Sequence, residues 1–349
     1  MSRRYRAVLC GYYGFGNLGD ELLASALIEA FRRAGVPGGE LAILSASPAE
    51  TEKSLSIKAF DRWKLAEVFR AVRESDTLLL GGGGLFQDAT SIRSSAYYWG
   101  AIRLASLAGA IPWAVGQSVG PFSTLPGMFF ARNALGKCPQ FSVRDERSYE
   151  LMSSWRFKSS RTPDPVFLLA GDRKIKEGGK THFLVNIRPW GGSLPLRTVT
   201  RAARMAAEKK LPVIGVGLSE GDVTLMEKLA RSRHFQPERI TLLSAANWRT
   251  ESEALLGSAA GAVSMRYHFS LLALLSGVPL TLSAYDPKVE ELAMEWRLPV
   301  WKGEGRLPQP ALSPEAKKTG QMSEAFMEEF RRMWDEIRRL VERKRQRCQ

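Results

Sequence analysis

Four cationic side chains stand where strands of this sequence give way to helices, and such corners handle oxyanions. Ser264-Met265-Arg266-Tyr267-His268 closes a small apolar run, 261–265, that reads as a buried strand. A second apolar run, 269–275, follows it and is stopped by Gly277 and Pro279 as a helix is. Arg266 and His268 thus fall at a strand end and a helix start, where backbone N–H groups and the positive end of the helix dipole favour an anion. Lys288 follows the next apolar run, 280–284, and should open at the same edge. Arg144 ends another strand, 140–143. The sharp reading is a transferase site in which these cations converge on one anion-binding crevice. The bland reading is a satisfied core histidine and solvated cations.

The whole chain bounds what such a site can serve. Its 349 residues suffice for two domains, and 44% hydrophobic with 25% charged residues is a globular composition. The net charge of +14 points to acidic partners: phosphates, anionic headgroups or nucleic acid. Residues 331–347 hold eight Arg or Lys against three acids, with Phe330, Met333, Trp334, Ile337, Leu340 and Val341 at helical spacing. That is a basic amphipathic helix, whose stripe packs on the domains or lies on a membrane surface. Cys10, Cys138 and Cys348 show no paired or zinc-binding spacing, which suits a reducing cytoplasm. The apolar stretch after Arg3 and Arg4 is too short for a signal peptide, and no run reaches the roughly 18 apolar residues of a transmembrane helix.

The elements that carry these residues alternate. A strand over 6–10 leads into the loop 11–20, with Gly14, Gly16 and Gly19, and then a helix over 21–34. The glycines fit G-x-G-x-x-G, but no carboxylate ends the next strand at 41–45, so the loop indicates close backbone approach to a ligand more than NAD binding. A strand over 77–80 runs into Gly81-Gly82-Gly83-Gly84-Leu85-Phe86-Gln87-Asp88, a glycine loop costly to order without a ligand or a tight turn. A helix over 94–108, a strand over 111–115, the loop 116–121, a helix over 124–135, the strand 140–143 and a helix over 146–153 follow. A linker near 171–180 separates a second half with strands at 182–187, 211–216 and 240–244 and helices at 196–209, 222–232, 251–257 and 289–296. Residues 302–321 look irregular, and 322–347 form the last helix. The expected architecture is α/β: two Rossmann-like domains facing a cleft, 1–170 and 171–321, with the helix of 322–349 packing back. In open parallel sheets ligands bind beyond the carboxyl ends of the strands. The glycine loops, Arg144, Arg188, Gly217, Arg266 and Tyr285 all fall there.

Other motifs compete less well. Gly116-Gln117-Ser118-Val119-Gly120 matches a nucleophile elbow and follows a strand, but Pro121 and Phe122 stand where the elbow needs an immediate helix. His182 and His234 have no metal-ligand spacing, so no metal is expected. Charge alone argues for nucleic acid, without a recognised binding motif.

Taken together, Gly11-Tyr12-Tyr13-Gly14-Phe15-Gly16-Asn17-Leu18-Gly19-Asp20-Glu21, the run 81–88, the segment 116–121, Ser142-Val143-Arg144-Asp145, the stretch 265–268 and Ser276-Gly277-Val278-Pro279 resemble the polysaccharide pyruvyl transferases. Within them the sequence looks most similar to the CsaB type of bacterial cell-wall polymer synthesis. The resemblance spans about 10–296. It implies a fold like the GT-B glycosyltransferases and transfer of pyruvyl from phosphoenolpyruvate to a sugar as a ketal. For the CsaB type it implies a 4,6-ketal on N-acetylmannosamine of a lipid-diphosphate-linked disaccharide, made at the cytoplasmic membrane surface without cofactor or metal. It also carries phosphoenolpyruvate binding onto Arg144, His268 and Lys288.

On that reading Arg144 clamps one oxyanion of the donor, Lys288 meets the other, and His268 binds or protonates the departing phosphate. Gly14, Gly16, Asn17, Asp20, Gly83, Gly84, Gln87 and Asp88 face the sugar or its diphosphate, and Arg266 adds to the anion site. Asp88, Asp145 and Glu21 are the candidate acids for the methylene carbon. Loss of Arg144, His268 or Lys288 should stop phosphate release and leave the fold intact. The alternatives are a GT-B glycosyltransferase using a sugar nucleotide, with Glu290 or Glu291 on the ribose, and a membrane-associated scaffold.

Overall fold

Short apolar runs between amphipathic stretches make parallel strands buried on both faces, because every crossover lays a helix over the sheet. The structure is a computed structural model and describes residues 3–88, 92–170 and 179–347. In chain order it begins Tyr5–Cys10 (β1), Leu18–Arg33 (α1), Leu41–Ser45 (β2), Pro48–Leu55 (α2), Lys58–Asp61 (β3), Leu65–Arg73 (α3) and Ser75–Phe86 (β4). Ile92–Leu107 (α4), Ile111–Val119 (β5), Leu125–Leu135 (α5), Phe141–Val143 (β6), Glu146–Ser154 (α6) and Ser160–Arg161 (β7) follow. Then come His182–Asn186 (β8), Leu194–Glu208 (α7), Val213–Gly217 (β9), Glu220–Arg231 (α8), Arg239–Leu242 (β10), Trp248–Gly257 (α9) and Ala259–Ser264 (β11). Tyr267–Leu275 (α10), Leu280–Ser283 (β12), Pro287–Glu295 (α11), Val300–Trp301 (β13) and Thr319–Arg347 (α12) complete it.

The strands form two parallel sheets, ordered β3-β2-β1-β4-β5-β6-β7 and β10-β9-β8-β11-β12-β13. Each is doubly wound, and winding reverses between β1 and β4 and between β8 and β11. The chain divides into two units: Met1–Phe15 with Asp20–Leu169 and Gln321–Gln349, and Gly16–Gly19 with Ala170–Gly320. The linker expected at 171–180 lies, through residue 178, outside the described residues, as does Cys348.

Three expectations are corrected. The run 81–84 is strand, not loop: β4 continues to Phe86 and β5 to Val119, with Gly83 opposite Gln117 and Phe86 opposite Val119 after a register shift. Left-handed backbone at Gly82, Gly83 and Gly116 makes the irregularity possible. Residues 46–74, to which the pattern assigns no element, hold α2, β3 and α3. The helix expected at 21 starts at Leu18, so the last three residues of the expected loop are its first turn.

In the first unit, α12 closes one face of the sheet. Phe326, Phe330, Met333, Trp334 and Ile337 are buried with Phe31 of α1 and Trp113 of β5. Phe31 meets Phe330 and Trp334 edge-on at 5.1 Å each, and Trp113 stacks on Trp334 at 5.7 Å. The opposite face, with Arg331, Arg332, Arg338, Arg339 and Arg343, is exposed. Among the described residues no helix is long and apolar enough to cross a membrane.

Candidate functional site

In the second unit the chain turns from β11 into α10 through Met265 and Arg266, the residue that caps the helix. The turn is pinned from inside. The Arg266 N–H donates to Asn186 Oδ1 (2.9 Å), and the Met265 N–H donates to the Asn186 carbonyl (2.9 Å). The Arg266 guanidinium is met by Asp222 at 3.0 and 2.6 Å and by Ser219 Oγ at 2.9 Å. His268 stands in the first turn of α10, half-buried, its ring edge-on to Tyr267 at 5.3 Å. Gly19, counted with this unit, leaves room for that ring: a Cβ there would collide with His268 Nδ1.

Lys288 begins the helix after the neighbouring strand, β12. Asp286 caps α11 by accepting the Lys288 N–H (3.0 Å), and its other oxygen lies 3.5 Å from Lys288 Nζ. His268 and Lys288 therefore open the helices that follow two adjacent parallel strands, at one edge of one sheet. Beside them, Arg188 beyond β8 donates to the Tyr285 hydroxyl (2.7 Å) and lies 4.8 Å from that ring. Glu290, weighed as a ribose ligand, is paired with Lys302 at 2.7 Å. Glu291 lies in the same helix.

Arg144 belongs to the first unit, just past β6. Its Nη1 donates to Asp164 Oδ2 (2.6 Å), with side chains only 3% and 1% exposed. Its Nε donates to Ser118 Oγ (2.7 Å), and the Ser118 hydroxyl donates to Asp145 Oδ2 (2.5 Å). Asp145 also caps α6 through the Ser148 N–H (2.9 Å). Ser118 sits inside β5, without the sharp strand-to-helix turn a nucleophile elbow requires.

The glycine segments flank the reversal point between β1 and β4. Gly81 gives way to Tyr13, whose hydroxyl donates to the Gly81 carbonyl (2.9 Å). Gly82 and Gly83 give way to Leu23 of α1, and Gly83 also approaches Asp20 Oδ1. These three let a helix lie on a strand. Gly84 and Gly16 face open space, and Gln87 follows β4. Gly14, in left-handed backbone, donates its N–H to Glu21 Oε1 (2.7 Å). Burial lifts the Glu21 carboxyl, against that hydrogen bond and with help from Asp20 and Glu50, to about 7. Asp88 goes the other way. Burial would raise it, but Ser123 and Thr124, each donating a backbone N–H and a hydroxyl, hold it at about 2.

Sequence reasoning missed Asp222, Asn186 and Asp164, the partners that fix Arg266 and Arg144. A buried carboxylate facing a cation is the signal, and tertiary structure alone reveals it. His182 is a core histidine, its Nε2 2.8 Å from the Leu255 carbonyl oxygen, and His234 is exposed. Among the described residues no group of three His, Cys, Asp or Glu side chains could hold a metal ion.

Two doubly wound parallel sheets with the last helix packed on the first unit define a GT-B-like α/β protein. Solved structures agree. A Listeria monocytogenes protein assigned as a UDP-N-acetylglucosamine 2-epimerase superposes with a TM-score of 0.58 at 13% identity, covering 93% of this chain and 91% of that one. The UDP-GlcNAc 2-epimerase of Methanocaldococcus jannaschii gives 0.55 at 9% identity, covering 92% of each. Anabaena HepE, solved with UDP and glucose, gives 0.53 at 13% identity, covering 98% of each. Likeness at that identity shows the fold. No curated protein matches the chain. The family model for polysaccharide pyruvyl transferase matches residues 17–287. The chain belongs to the polysaccharide pyruvyl transferase family.

Proposed function

We propose that the protein transfers pyruvyl from phosphoenolpyruvate to two hydroxyls of one sugar, as a 4,6-ketal on the N-acetylmannosamine of a lipid-diphosphate-linked disaccharide, in the manner of the CsaB type. The observation that carries this reading is the family match over 17–287, which takes in Arg144 and His268 and ends one residue before Lys288. The start of α10 at His268 supports it, because a helix N-terminus suits phosphate or carboxylate, and Lys288 adds a cation in the first turn of α11, whose own first N–H Asp286 accepts.

Proton delivery to C3 of phosphoenolpyruvate leaves a cation at C2. One sugar hydroxyl adds there and loses its proton, the C2–O bond to phosphate breaks, and the second hydroxyl closes the ketal and loses its own. These two protons replace those given to C3 and to the phosphate. The products are the ketal and inorganic phosphate. His268 protonates the departing phosphate, while Lys288 and Arg144 balance donor charge. Of the three candidate acids, Asp88 is ionised at neutral pH and Asp145 is spent on Ser118 and Ser148, whereas Glu21 still carries a proton near pH 7. We assign Glu21 the proton for C3. The chemistry asks for no cofactor or metal. A lipid-linked acceptor would bring the protein to the inner face of the membrane.

The test is phosphate release from phosphoenolpyruvate with a short-chain analogue of the disaccharide diphosphate, with products weighed by mass spectrometry. Wild type should release phosphate and add one pyruvyl ketal, and His268→Ala should do neither. Full activity in His268→Ala would remove that role. Calorimetric binding of a UDP-sugar and not of phosphoenolpyruvate would replace the reading with a glycosyltransferase.

A further inference from the structure

An aromatic wall stands past the carboxyl ends of β1 and β3, and the pyruvyl chemistry makes no use of it. Tyr12 is 42% exposed and Trp63 is 65% exposed. Rings this open are a liability unless something covers them. They are not loose. Tyr12 stacks on Phe15 with centroids 4.0 Å apart and planes 9° from parallel. Phe15 meets Trp63 edge-on at 6.0 Å, and Trp63 leans on Tyr97 of α4 at 6.2 Å.

Behind the rings lies Arg62, 5% exposed. Its guanidinium carbon is 4.9 Å from the Phe15 ring, 5.5 Å from Trp63, 4.2 Å from Tyr97 and 5.7 Å from Tyr98. Its Nη1 donates to the Gly11 carbonyl (2.5 Å), which ties β3 to the end of β1. The Trp63 N–H donates to Asp61 Oδ1 (2.9 Å). The wall is therefore ordered before any ligand arrives, and binding on it costs little conformational entropy.

Its rim is acidic. The charge of Asp20 reaches Tyr12, whose phenol is pushed up first by burial and then by that carboxylate. Flat rings beside a carboxylate match a pyranose, which has one apolar C–H face and hydroxyls at its edge that donate. A lipid tail has no use for flat rings held at fixed angles to one another.

We propose that Tyr12 and Trp63 are the stacking platform for the acceptor sugar, with Asp20 accepting one of its hydroxyls. This rests on the proposed function, since it names the acceptor side of that reaction. Trp63→Ala, Trp63→Phe and Tyr12→Ala test it, with the same disaccharide diphosphate analogue and phosphoenolpyruvate. Loss of one aromatic contact should raise the acceptor KM about tenfold in each alanine variant. The phosphoenolpyruvate KM and the melting temperature should not change, and Trp63→Phe should recover most of the loss. An acceptor KM unmoved in both alanine variants, with wild-type transfer intact, overturns the platform alone. Wild-type protein that transfers nothing from phosphoenolpyruvate overturns the function, and the platform with it. Calorimetric UDP binding that weakens in Trp63→Ala while the acceptor KM stays put makes the wall a nucleoside site and overturns the sugar.

Discussion

Arg266 and Asp222 are joined by two hydrogen bonds, Nε to Oδ2 at 3.0 Å and Nη2 to Oδ1 at 2.6 Å. Asp222 is fully buried and also accepts the Leu218 N–H (3.0 Å) ahead of α8. The charge that the sequence offers to an anion is thus answered inside the protein. Arg266 holds the turn before His268 against the turn before α8, as a positioning residue. Asp222→Asn should cost about 3 kcal/mol, because one partner of a buried ion pair is neutralised while the other stays. Arg266→Lys should lose turnover, since a lysine cannot grip a carboxylate bidentately. Urea unfolding and phosphate release, measured on both variants, check this.

Arg144 leads to a different prediction from His268, although both are assigned to the donor. Buried against Asp164, it cannot be removed with the fold untouched, as the sequence alone would suggest. Arg144→Ala should destabilise by about 3–5 kcal/mol and abolish activity. His268→Ala, at a half-buried helix start, should abolish activity with stability within about 1 kcal/mol of wild type. Thermal melts of the two variants side by side separate these outcomes. Equal stability in both would remove the structural part assigned to the Arg144–Asp164 pair.

What the sequence reveals follows from what periodicity can carry. Apolar runs such as 6–10 and 182–187 are legible because a strand buried on both faces needs nothing else. The stripe of α12 is legible because 3.6-residue spacing survives a basic background. The glycines of β4 are not, since glycine has no strand preference and the reason for Gly81, Gly82 and Gly83 lies in Tyr13 or Leu23, far away in sequence. The cations at strand ends could be picked out by position, yet their partners could not. Asp164, Asp222 and Asn186 become partners only when the sheets form. The cage around Arg62 is drawn from three separate segments, and nothing in residues 58–63 announces it.

Glu21 gives a pH signature with a definite sign. Its folded value of about 7 lies above the ordinary 4.5, so the folded protein holds a proton that the unfolded chain has lost between those values. The associated stability is fully present below about 4.5 and is lost as pH rises through about 7. The loss is on the order of 3 kcal/mol, at 1.36 kcal/mol per unit. Glu21→Gln keeps an oxygen for the Gly14 N–H and cannot ionise. It should match wild type near pH 4.5 and be the more stable protein at pH 8. Urea titrations at the two pH values measure the crossing. If Glu21 also protonates C3, the same variant should lose turnover at every pH.

The two faces of α12 should respond separately. Phe330 is fully buried, 5.1 Å from Phe31 and 5.7 Å from Trp113. Phe330→Ala should cost about 3–5 kcal/mol through the cavity it leaves. Arg338→Glu with Arg339→Glu touches only exposed side chains, whose pairs with Asp335 and Glu336 are worth little in water. That double variant should melt with wild type. With its apolar stripe facing the first-unit core, the helix can offer a membrane only its cations. Attraction to an anionic surface would then be electrostatic, about 1 kcal/mol per cation, and screened within about 10 Å at 0.1 M salt. Wild-type protein should sediment with phosphatidylglycerol vesicles at low salt, and about 0.5 M salt should release it. The double variant should bind more weakly at low salt. Vesicle binding that resists salt and ignores the two reversals would mean that an apolar surface elsewhere, not this helix, meets the lipid.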